Sequence, residues 1–442
     1  RYQEVTGVQT CALPILNIGD QSFHIGLLID NLTASMMVVV TFVSLMVHVY
    51  TIGYMHDDPG YHRFFSYISL FTFSMLSLVM SNNFLQLFFG WEAVGVMSYL
   101  LIGFWYTKES AIKANLKAFI VNRVGDLSLI LGIGIIFSIT GSLDYYAVFS
   151  NSQEIAQTEL LLTSTLTVSA LTAACILLFG GAMGKSAQMP LHVWLPDSME
   201  GPTPISALIH AATMVTAGVF LLARMSPLFE LSTSALSFVL IIGATTALFT
   251  GILGLIQNDI KRVVAYSTLS QLGYMVAAAG VSAYSASLFH LMTHAFFKAL
   301  LFLAAGSVIV ALHHEQDIRK MGGLKNKLPI TYVTSLIGSL ALIGFPGFSG
   351  FFSKDALIEA IGHADIIGSG FAYASVLIGV FITALYTFRL FFKVFHGALD
   401  EHHHDVKESP LSITLPLVLL AIPSVIIEIG RASCRERVST SV

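Results

Sequence analysis

The stretch Leu178 to Met225 reads LFGGAMGKSAQMPLHVWLPDSMEGPTPISALIHAATMVTAGVFLLARM and places a lysine beside a break in an apolar helix. Lys185 ends a long apolar run, and Pro190 and Pro196 interrupt any continuous helix after it. A charge at membrane depth costs about 2.5 to 3.5 kcal/mol on insertion scales. Irregular backbone in a bilayer is tolerated only where protein or a water-filled cavity satisfies it. Because buried lysines readily change protonation state, this stretch predicts a proton or ion path.

Composition places the chain in a membrane. Of the 442 residues 55% are hydrophobic and 11% are charged, and the mean hydropathy is +0.77, whereas soluble domains carry about 25% charged residues. The formal charge of -4 is sparse, and nothing indicates nucleic-acid binding. The sequence predicts an all-α polytopic membrane protein.

Both ends read as translated sequencing-library adapter. The string ATCGGAAGAGC encodes Ile429 to Ala432, and its reverse complement encodes Ala12 to Ile15. We therefore interpret 1–15 and 428–442 as adapter-derived artefacts and leave them out of fold reasoning. Without these tails only Cys175 remains, so a disulfide or metal-thiolate site has no second cysteine to use.

Twelve apolar runs are long enough to span a bilayer, and we number them H1 to H12. They fall near 28–54, 63–80, 84–105, 112–139, 165–187, 203–224, 235–257, 260–281, 284–311, 329–345, 369–395 and 411–428.

The basic residues predict the orientation of these spans. The ends of even-numbered helices carry little beyond Arg224, and the connection 142–163 contains acids but no Lys or Arg. The ends of odd-numbered helices carry Arg63, Lys108, Lys113, Lys261, Arg262, Arg319, Lys320, Lys325, Lys327, Lys393 and Lys407. By the positive-inside rule the odd-helix ends are cytoplasmic, and H1 starts outside.

Two spans are broken by Gly and Pro. H5 contains Gly180, Gly181 and Gly184 before Pro190, and H10 is followed by Gly344, Pro346, Gly347 and Gly350. The breaks lie five helices apart, which predicts two inverted five-helix repeats with discontinuous helices at the site, as in transporters. Two unrelated Pro kinks are the alternative. The resulting division is an N-terminal helix region at 16–62, repeats at 63–225 and 226–396, and a C-terminal loop and helix at 397–427.

H9 carries three protonatable groups on one face. His290, His294 and Lys298 follow i, i+4 spacing, which places them about 6 Å apart along the helix axis. Lys298 falls near the middle of the span, where its amine reaches the interface least easily. A single histidine there would indicate hydrogen-bonded packing, but three groups in register indicate proton transfer.

Glu92 is the only acid in H3, so a basic partner is expected. We predict Lys185 as that partner, because an acid beside the amine favours its charged form and removal of the acid favours its neutral form. The two residues would then form a tunable proton switch. A static structural ion pair is the alternative.

Five further residues complete the predicted site. Arg123 and Asp126, at i, i+3 on H4, are expected to neutralise each other. His210 lies inside H6 after a Gly-Pro-Thr-Pro sequence, where it could link Lys185 to the H9 face through water. Lys354, with Asp355 beside it, repeats the theme of a lysine at a broken helix, and a surface pair is the alternative reading.

No cofactor is indicated. The histidines His396, His402, His403 and His404 lie in an acidic connection without fixed spacing, which favours a solvated loop over a metal site. No Gly-rich nucleotide loop, CxxC or haem signature occurs. We therefore expect no redox group, no nucleotide and no metal in this chain.

At these residues the sequence resembles a known family. The resemblance rests on seven segments: GWEAVGVMSYLLIGFW, VNRVGD, GKSAQMPLHVWLPDSMEGPTPISALIHAATMVTAGV, NDIKRVVAYSTLSQLGYM, HLMTHAFFKALLFLAAGSVI, HHEQDIRKMGGL and GFFSKD. They are similar to the subunit L family of bacterial NADH-quinone oxidoreductase (respiratory complex I), an antiporter-like membrane subunit. The resemblance covers nearly all of 16–427.

The resemblance implies roles for the residues already singled out. Glu92 and Lys185 would form the switching ion pair, and Asp126 would match an acid near the uptake path. Lys354 would be the exit-side lysine, with Asp355 beside it. The hydrated central axis would consist of His210, His290, His294 and Lys298.

The family also implies proton translocation in the bacterial inner membrane, together with other membrane subunits of complex I, and coupled to quinone reduction elsewhere in that complex. Two rivals share these motifs. One is the large subunit of an Mrp-type sodium/proton antiporter, and the other is the membrane subunit of a carbon-uptake or hydrogenase complex.

Overall fold

Helices occupy all twelve predicted positions. The computed structural model describes residues 9–18, 21–161, 167–398 and 406–427. Its helices are α1 Asn31–Tyr54, α2 Tyr61–Val79, α3 Phe84–Ile102, α4 Glu109–Thr140, α5 Tyr145–Ser150, α6 Ser152–Gln157, α7 Ala170–Lys185, α8 Thr203–Ala211, α9 Ala217–Arg224, α10 Ser226–Phe229, α11 Thr233–Ile256, α12 Ile260–Gly280, α13 Tyr284–Ala311, α14 Pro329–Ile343, α15 Ser349–Gly362, α16 Ser369–Phe395 and α17 Leu411–Ile426.

The chain is a polytopic membrane protein. Among the described residues, seven helical segments are long and apolar enough to cross a bilayer, and three shorter apolar helices are α7, α14 and α17. The segment 203–224 is wholly buried and α13 nearly so. These two elements therefore form the centre of the bundle, and the other helices surround them.

The structure corrects several boundaries. The strands β1 Gln9–Ile18 and β2 Gln21–Ile29 form an antiparallel hairpin, so H1 begins only at Asn31, where Asp30 caps α1. The part of β1 before Leu16 lies in the tail left out of fold reasoning. A second hairpin, β3 Glu159–Leu161 and β4 Thr167–Ser169, shortens the start of H5.

H6 is not one helix, which the sequence did not predict. It divides into α8 and α9 around a short turn at Met214–Thr216. The Thr213 hydroxyl donates to the Leu208 carbonyl over 2.7 Å and so satisfies one group that the break frees. Backbone breaks at membrane depth need such partners.

H10 is broken as predicted, and its second half is α15. Gly344 takes the left-handed conformation at φ 77°, which glycine adopts at little cost. At Gly350 an added Cβ would lie 1.8 Å from the Ala341 carbonyl oxygen. Only a residue without a side chain lets α15 begin this close to the end of α14.

Arg224 is the exception to the predicted charge asymmetry, and an ion pair explains it. Its guanidinium binds both carboxylate oxygens of Asp30 and the hydroxyl of Thr33. Burial alone would raise the pKa of Asp30, but the bonds and charge from Arg224 hold that pKa below its usual value. Since the pair is neutral, Arg224 adds no net charge at this end of H6.

Close backbone contact joins α11 to α12, the kind of packing that small residues permit in membranes. A Cβ at Gly273 would lie 2.4 Å from the Ala247 nitrogen. We therefore predict that Gly273→Ala destabilises the protein by about 1 to 3 kcal/mol through overpacking, measured by thermal unfolding in detergent. Gly134→Ala is the matched control, because nothing lies within 4 Å of a Cβ there. Equal melting temperatures for the two variants would contradict this packing.

Candidate functional site

Four charged residues form a chain between α3, α4 and α7. An Arg123 nitrogen contacts the Glu92 carboxylate and lies 3.7 Å from an Asp126 oxygen. The other Asp126 oxygen lies 3.5 Å from the Lys185 amine. Two acids and two bases therefore alternate in the order Glu92, Arg123, Asp126, Lys185, and the formal charges cancel.

The predicted direct pair between Glu92 and Lys185 is wrong in this structure. Glu92 is paired with Arg123, and Lys185 is paired with Asp126. The indole nitrogen of Trp91 donates to the Asp126 oxygen that faces the lysine, over 2.8 Å. Arg123 and Asp126 do approach each other, as their spacing predicts, but each also has an outside partner.

The Lys185 amine is buried, and it has the Trp91 ring beside it as well as Asp126. The side chain is 1% exposed, and the amine lies 5.9 Å from the centre of the Trp91 ring. Gly95, one turn after Glu92, leaves the space for it, because a Cβ there would lie 2.7 Å from the amine nitrogen. Sequence reasoning missed Gly95, although its spacing from Glu92 was visible in GWEAVG.

The break after Lys185 is held by side chains from other parts of the chain. The Trp194 indole donates to the Gly184 carbonyl over 3.0 Å, and the Ser186 hydroxyl donates to the Val215 carbonyl over 2.6 Å. The Lys261 amine donates to the carbonyls of Met199 and Gly201. Lys261 is 3% exposed, and the sequence prediction treated it as an interfacial charge only.

His210 lies between this break and α13. One of its ring nitrogens is 3.0 Å from the Ser198 hydroxyl, and its ring centre is 5.6 Å from that of Phe302. Its other nitrogen, Nδ1, has no hydrogen-bond partner among the described residues. The predicted water link to Lys185 stays a prediction.

The α13 face contains the three groups that the spacing predicted, and all three are fully buried. His290 Nδ1 is 2.9 Å from the Ser353 hydroxyl, and its Nε2 is 3.1 Å from the Gln271 carboxamide oxygen. The Lys298 amine donates to the Ser267 hydroxyl on α12. The face is thus tied to α12 and to α15.

His294 faces the unexpected break in H6. Neither ring nitrogen completes a hydrogen bond of ordinary geometry within the described ranges, but the ring interacts with the Ala211 carbonyl. Ala211 is the last residue of α8. A carbonyl freed by one broken helix therefore turns toward a protonatable group on its unbroken neighbour.

Lys354 supplies a hydrogen-bond donor to a backbone carbonyl at the break in H10. Its buried amine donates to the Leu342 carbonyl over 2.9 Å and lies 5.5 Å from the centre of the Tyr274 ring. Asp355 is exposed, and in the described part of the chain no ion pair joins it to Lys354. Although adjacent in sequence, the two residues occupy different surroundings.

The remaining histidines give no metal centre within the described ranges. His402, His403 and His404 lie outside the described residues. His396 is 3.4 Å from the Tyr332 hydroxyl and contacts the Phe392 ring. Across the part of the chain that the structure describes, no group of three His, Cys, Asp or Glu residues is placed to hold a metal ion.

The fold and the buried titratable groups thus define a class: membrane proteins with discontinuous helices around intramembrane charges. The sequence matches the family described as NADH:quinone oxidoreductase/Mrp antiporter, transmembrane, over residues 81–386. Residues 16–65 match the family described as NADH-ubiquinone oxidoreductase (complex I), chain 5 N-terminus. The chain belongs to the NADH:quinone oxidoreductase/Mrp antiporter transmembrane family.

Curated relatives share much of this sequence. NADH-quinone oxidoreductase subunit L of Neisseria meningitidis is 63% identical, and the match covers 93% of this chain and 64% of the relative. Subunit L of Rhodobacter capsulatus is 54% identical over 91% of this chain and 59% of the relative. NADH-ubiquinone oxidoreductase chain 5 of Marchantia polymorpha is 52% identical, with 91% and 61% covered. The chain spans about three fifths of these relatives.

Solved structures share the fold. The structure of an Mrp complex from Dietzia superimposes with a TM-score of 0.84 at 25% identity, covering 95% of this chain and 45% of that one. The archaeal membrane-bound sulfane sulfur reductase gives a TM-score of 0.82 at 24% identity, covering 95% and 67%. The likeness to the reductase shows a shared fold only.

The order of the four charges can be measured with double-mutant cycles. We predict a coupling of about 0.5 to 3 kcal/mol between Glu92→Gln and Arg123→Gln, because these residues are in contact. The cycle of Glu92→Gln with Lys185→Gln should give a smaller value. Unfolding in detergent measures both, and the exposed pair Glu109–Lys113 serves as a control expected to couple by about 0.3 to 0.5 kcal/mol. A larger coupling for Glu92 with Lys185 would contradict the observed pairing.

Proposed function

We propose that this chain belongs to a proton-translocating, antiporter-like subunit of an NADH:quinone oxidoreductase. The observation that carries the proposal is the pair of buried amines on Lys298 and Lys354. Each is bonded to a neutral oxygen, a hydroxyl or a carbonyl, and neither has a carboxylate partner in the described ranges. A permanent ammonium would be costly there, so amines that carry a proton only in transit fit the site.

The four-residue chain can act as the switch. Asp126 lies between two bases, Arg123 and Lys185, and small movements change which base it neutralises. When Asp126 turns toward Arg123, the lysine loses its countercharge and its proton is favoured to leave. His210 and the α13 face would receive that proton, and Lys354 would release it on the opposite side. Moving one charge against 100 mV requires about 2.3 kcal/mol.

We further propose that the driving energy comes from quinone reduction elsewhere in the assembly and that this chain carries no redox cofactor. The identity to relatives named as subunits of NADH-quinone oxidoreductase supports this assignment. Since the bacterial relatives reach 63% identity and the plant relative 52%, we place the protein in a bacterial inner membrane.

A partly exposed ion pair supports a neighbouring membrane subunit as partner. Glu92 lies near the middle of α3 and Arg123 near the middle of α4, and their side chains are 21% and 34% exposed. Polar pairs at membrane depth face protein or a water-filled cavity rather than lipid. We infer that this face is covered by another membrane subunit of the complex, which would place the switch at a subunit interface.

The Mrp-type antiporter is the second candidate function. The Mrp structure shares the fold closely, but its identity to this chain is 25%, against 63% for the relative named subunit L. Sodium-driven proton exchange by the purified complex, without NADH oxidation, would favour the antiporter.

In the complete complex, Lys185→Ala or Glu92→Ala should lower the number of protons moved per NADH oxidised, because the switch loses one of its charges. Proteoliposomes with a pH-sensitive dye measure the movement, and NADH oxidation measures the assembled complex. Lys113→Ala is the control, since Lys113 is an exposed residue at the start of α4. Wild-type proton stoichiometry in either switch variant would overturn the mechanism.

A further inference from the structure

A second group of buried polar side chains lies beside the α13 face and is not used in the mechanism above. It consists of Gln271 on α12 and Thr383, Tyr386 and Thr387 on α16, and we name it the α12–α16 polar cluster. All four residues are at most 3% exposed. The Tyr386 hydroxyl faces the carboxamide of Gln271 and the hydroxyl of Thr383.

Three atoms of this cluster complete no hydrogen bond of ordinary geometry with the described residues. They are the Gln271 amide nitrogen, the Tyr386 hydroxyl and the Thr387 hydroxyl. Other buried tyrosines differ, because Tyr50 donates to the Leu303 carbonyl over 2.9 Å and Tyr274 donates to the Val376 carbonyl over 2.7 Å. A buried polar group without a partner costs about 1 to 3 kcal/mol. Several such groups facing one another form a site with the two to four polar contacts that a buried water requires.

The side chain of Gln271 connects the cluster to the α13 face. The carboxamide oxygen of Gln271 is 3.1 Å from His290 Nε2, while its amide nitrogen belongs to the cluster. The Ser353 hydroxyl is the hydrogen-bond partner of the other ring nitrogen of His290. His290 is therefore the junction between α13, the broken H10 and the cluster.

The cluster extends toward the C-terminal end of α16, which the charge pattern predicts to be cytoplasmic. Just beyond it, Arg389 donates to the Gln257 carbonyl and to the Asn258 side chain at the end of α11. Between the cluster and that end lies a compact group of apolar side chains that includes Ile260, Phe391 and Val394. These apolar side chains and the half-buried Arg389 guanidinium lie at the cytoplasmic end of the polar cluster.

We propose that the α12–α16 polar cluster binds water and forms a second proton branch, which joins the cytoplasmic end of α16 to His290 independently of the H5 and H6 breaks. The branch rests on the proposed function, and the apolar group that includes Ile260 and Phe391 lies at its cytoplasmic end. Opening would require those side chains to move apart, because hydrocarbon constrictions exclude water.

The water site can be tested without changing the protein. Radiolytic hydroxyl labelling of the complete complex in membranes modifies side chains beside bound water, and mass spectrometry locates the products. Tyr386 should be labelled, whereas Tyr50, equally buried but bonded to the Leu303 carbonyl, should be protected. Protection of Tyr386 equal to that of Tyr50 would overturn the site, whatever the complex pumps.

Tyr386→Phe tests the branch because it removes one hydroxyl and keeps the ring. We expect proton translocation to fall by about 3- to 10-fold at alkaline pH, where proton supply limits the rate, and to change little at acidic pH. Tyr50→Phe should leave the rate and its pH profile unchanged. A pH profile for Tyr386→Phe equal to that of Tyr50→Phe would overturn the branch. Lys298→Ala in the same assay tests the proposed function separately. Normal pumping by that variant would contradict the function but would leave the water site standing.

Discussion

The fold must supply hydrogen-bond partners for the carbonyl groups that its helix breaks leave free. In hydrocarbon no bulk water can bind them, so other side chains must. The Gly184 carbonyl is bound by Trp194, and the Leu342 carbonyl is bound by Lys354. The carbonyls of Met199 and Gly201 are bound by Lys261. The breaks therefore recruit amines into the membrane, and the amines make the breaks tolerable.

The hydrogen bonds between buried amines and free carbonyls couple the backbone at a helix break to a titratable side chain. An amine that binds a carbonyl is held by a dipole and not by a countercharge, which leaves it free to gain or lose a proton with little rearrangement. Lys185 differs, because Asp126 lies beside it and Arg123 competes for the same acid. In the proposed path, one end therefore depends on an ion pair that can be redistributed, and the other on amines bonded to neutral oxygens.

The sequence predicts the parts of this arrangement that depend on composition and spacing. Hydropathy places the helices, Gly and Pro mark the breaks in H5 and H10, and i, i+4 spacing puts His290, His294 and Lys298 on one face. The pairing of Glu92 with Arg123 depends on the reach of an arginine between helices, and the Asp126 oxygen that faces Lys185 also accepts from Trp91. Sequence spacing shows neither contact. The H6 break between Ala211 and Ala217 contains neither Gly nor Pro. Lys261 was missed because a lysine at a helix end reads as an interfacial charge.

The proposed function requires a buried amine on α13 to alternate between charged and neutral forms. Lys298→Arg in the complete complex tests it most directly, because a guanidinium keeps the positive charge and cannot be deprotonated in a protein. NADH oxidation and thermal stability of the same preparation confirm assembly. We expect proton translocation through this subunit to be lost although the charge is retained. Wild-type translocation by Lys298→Arg would contradict it.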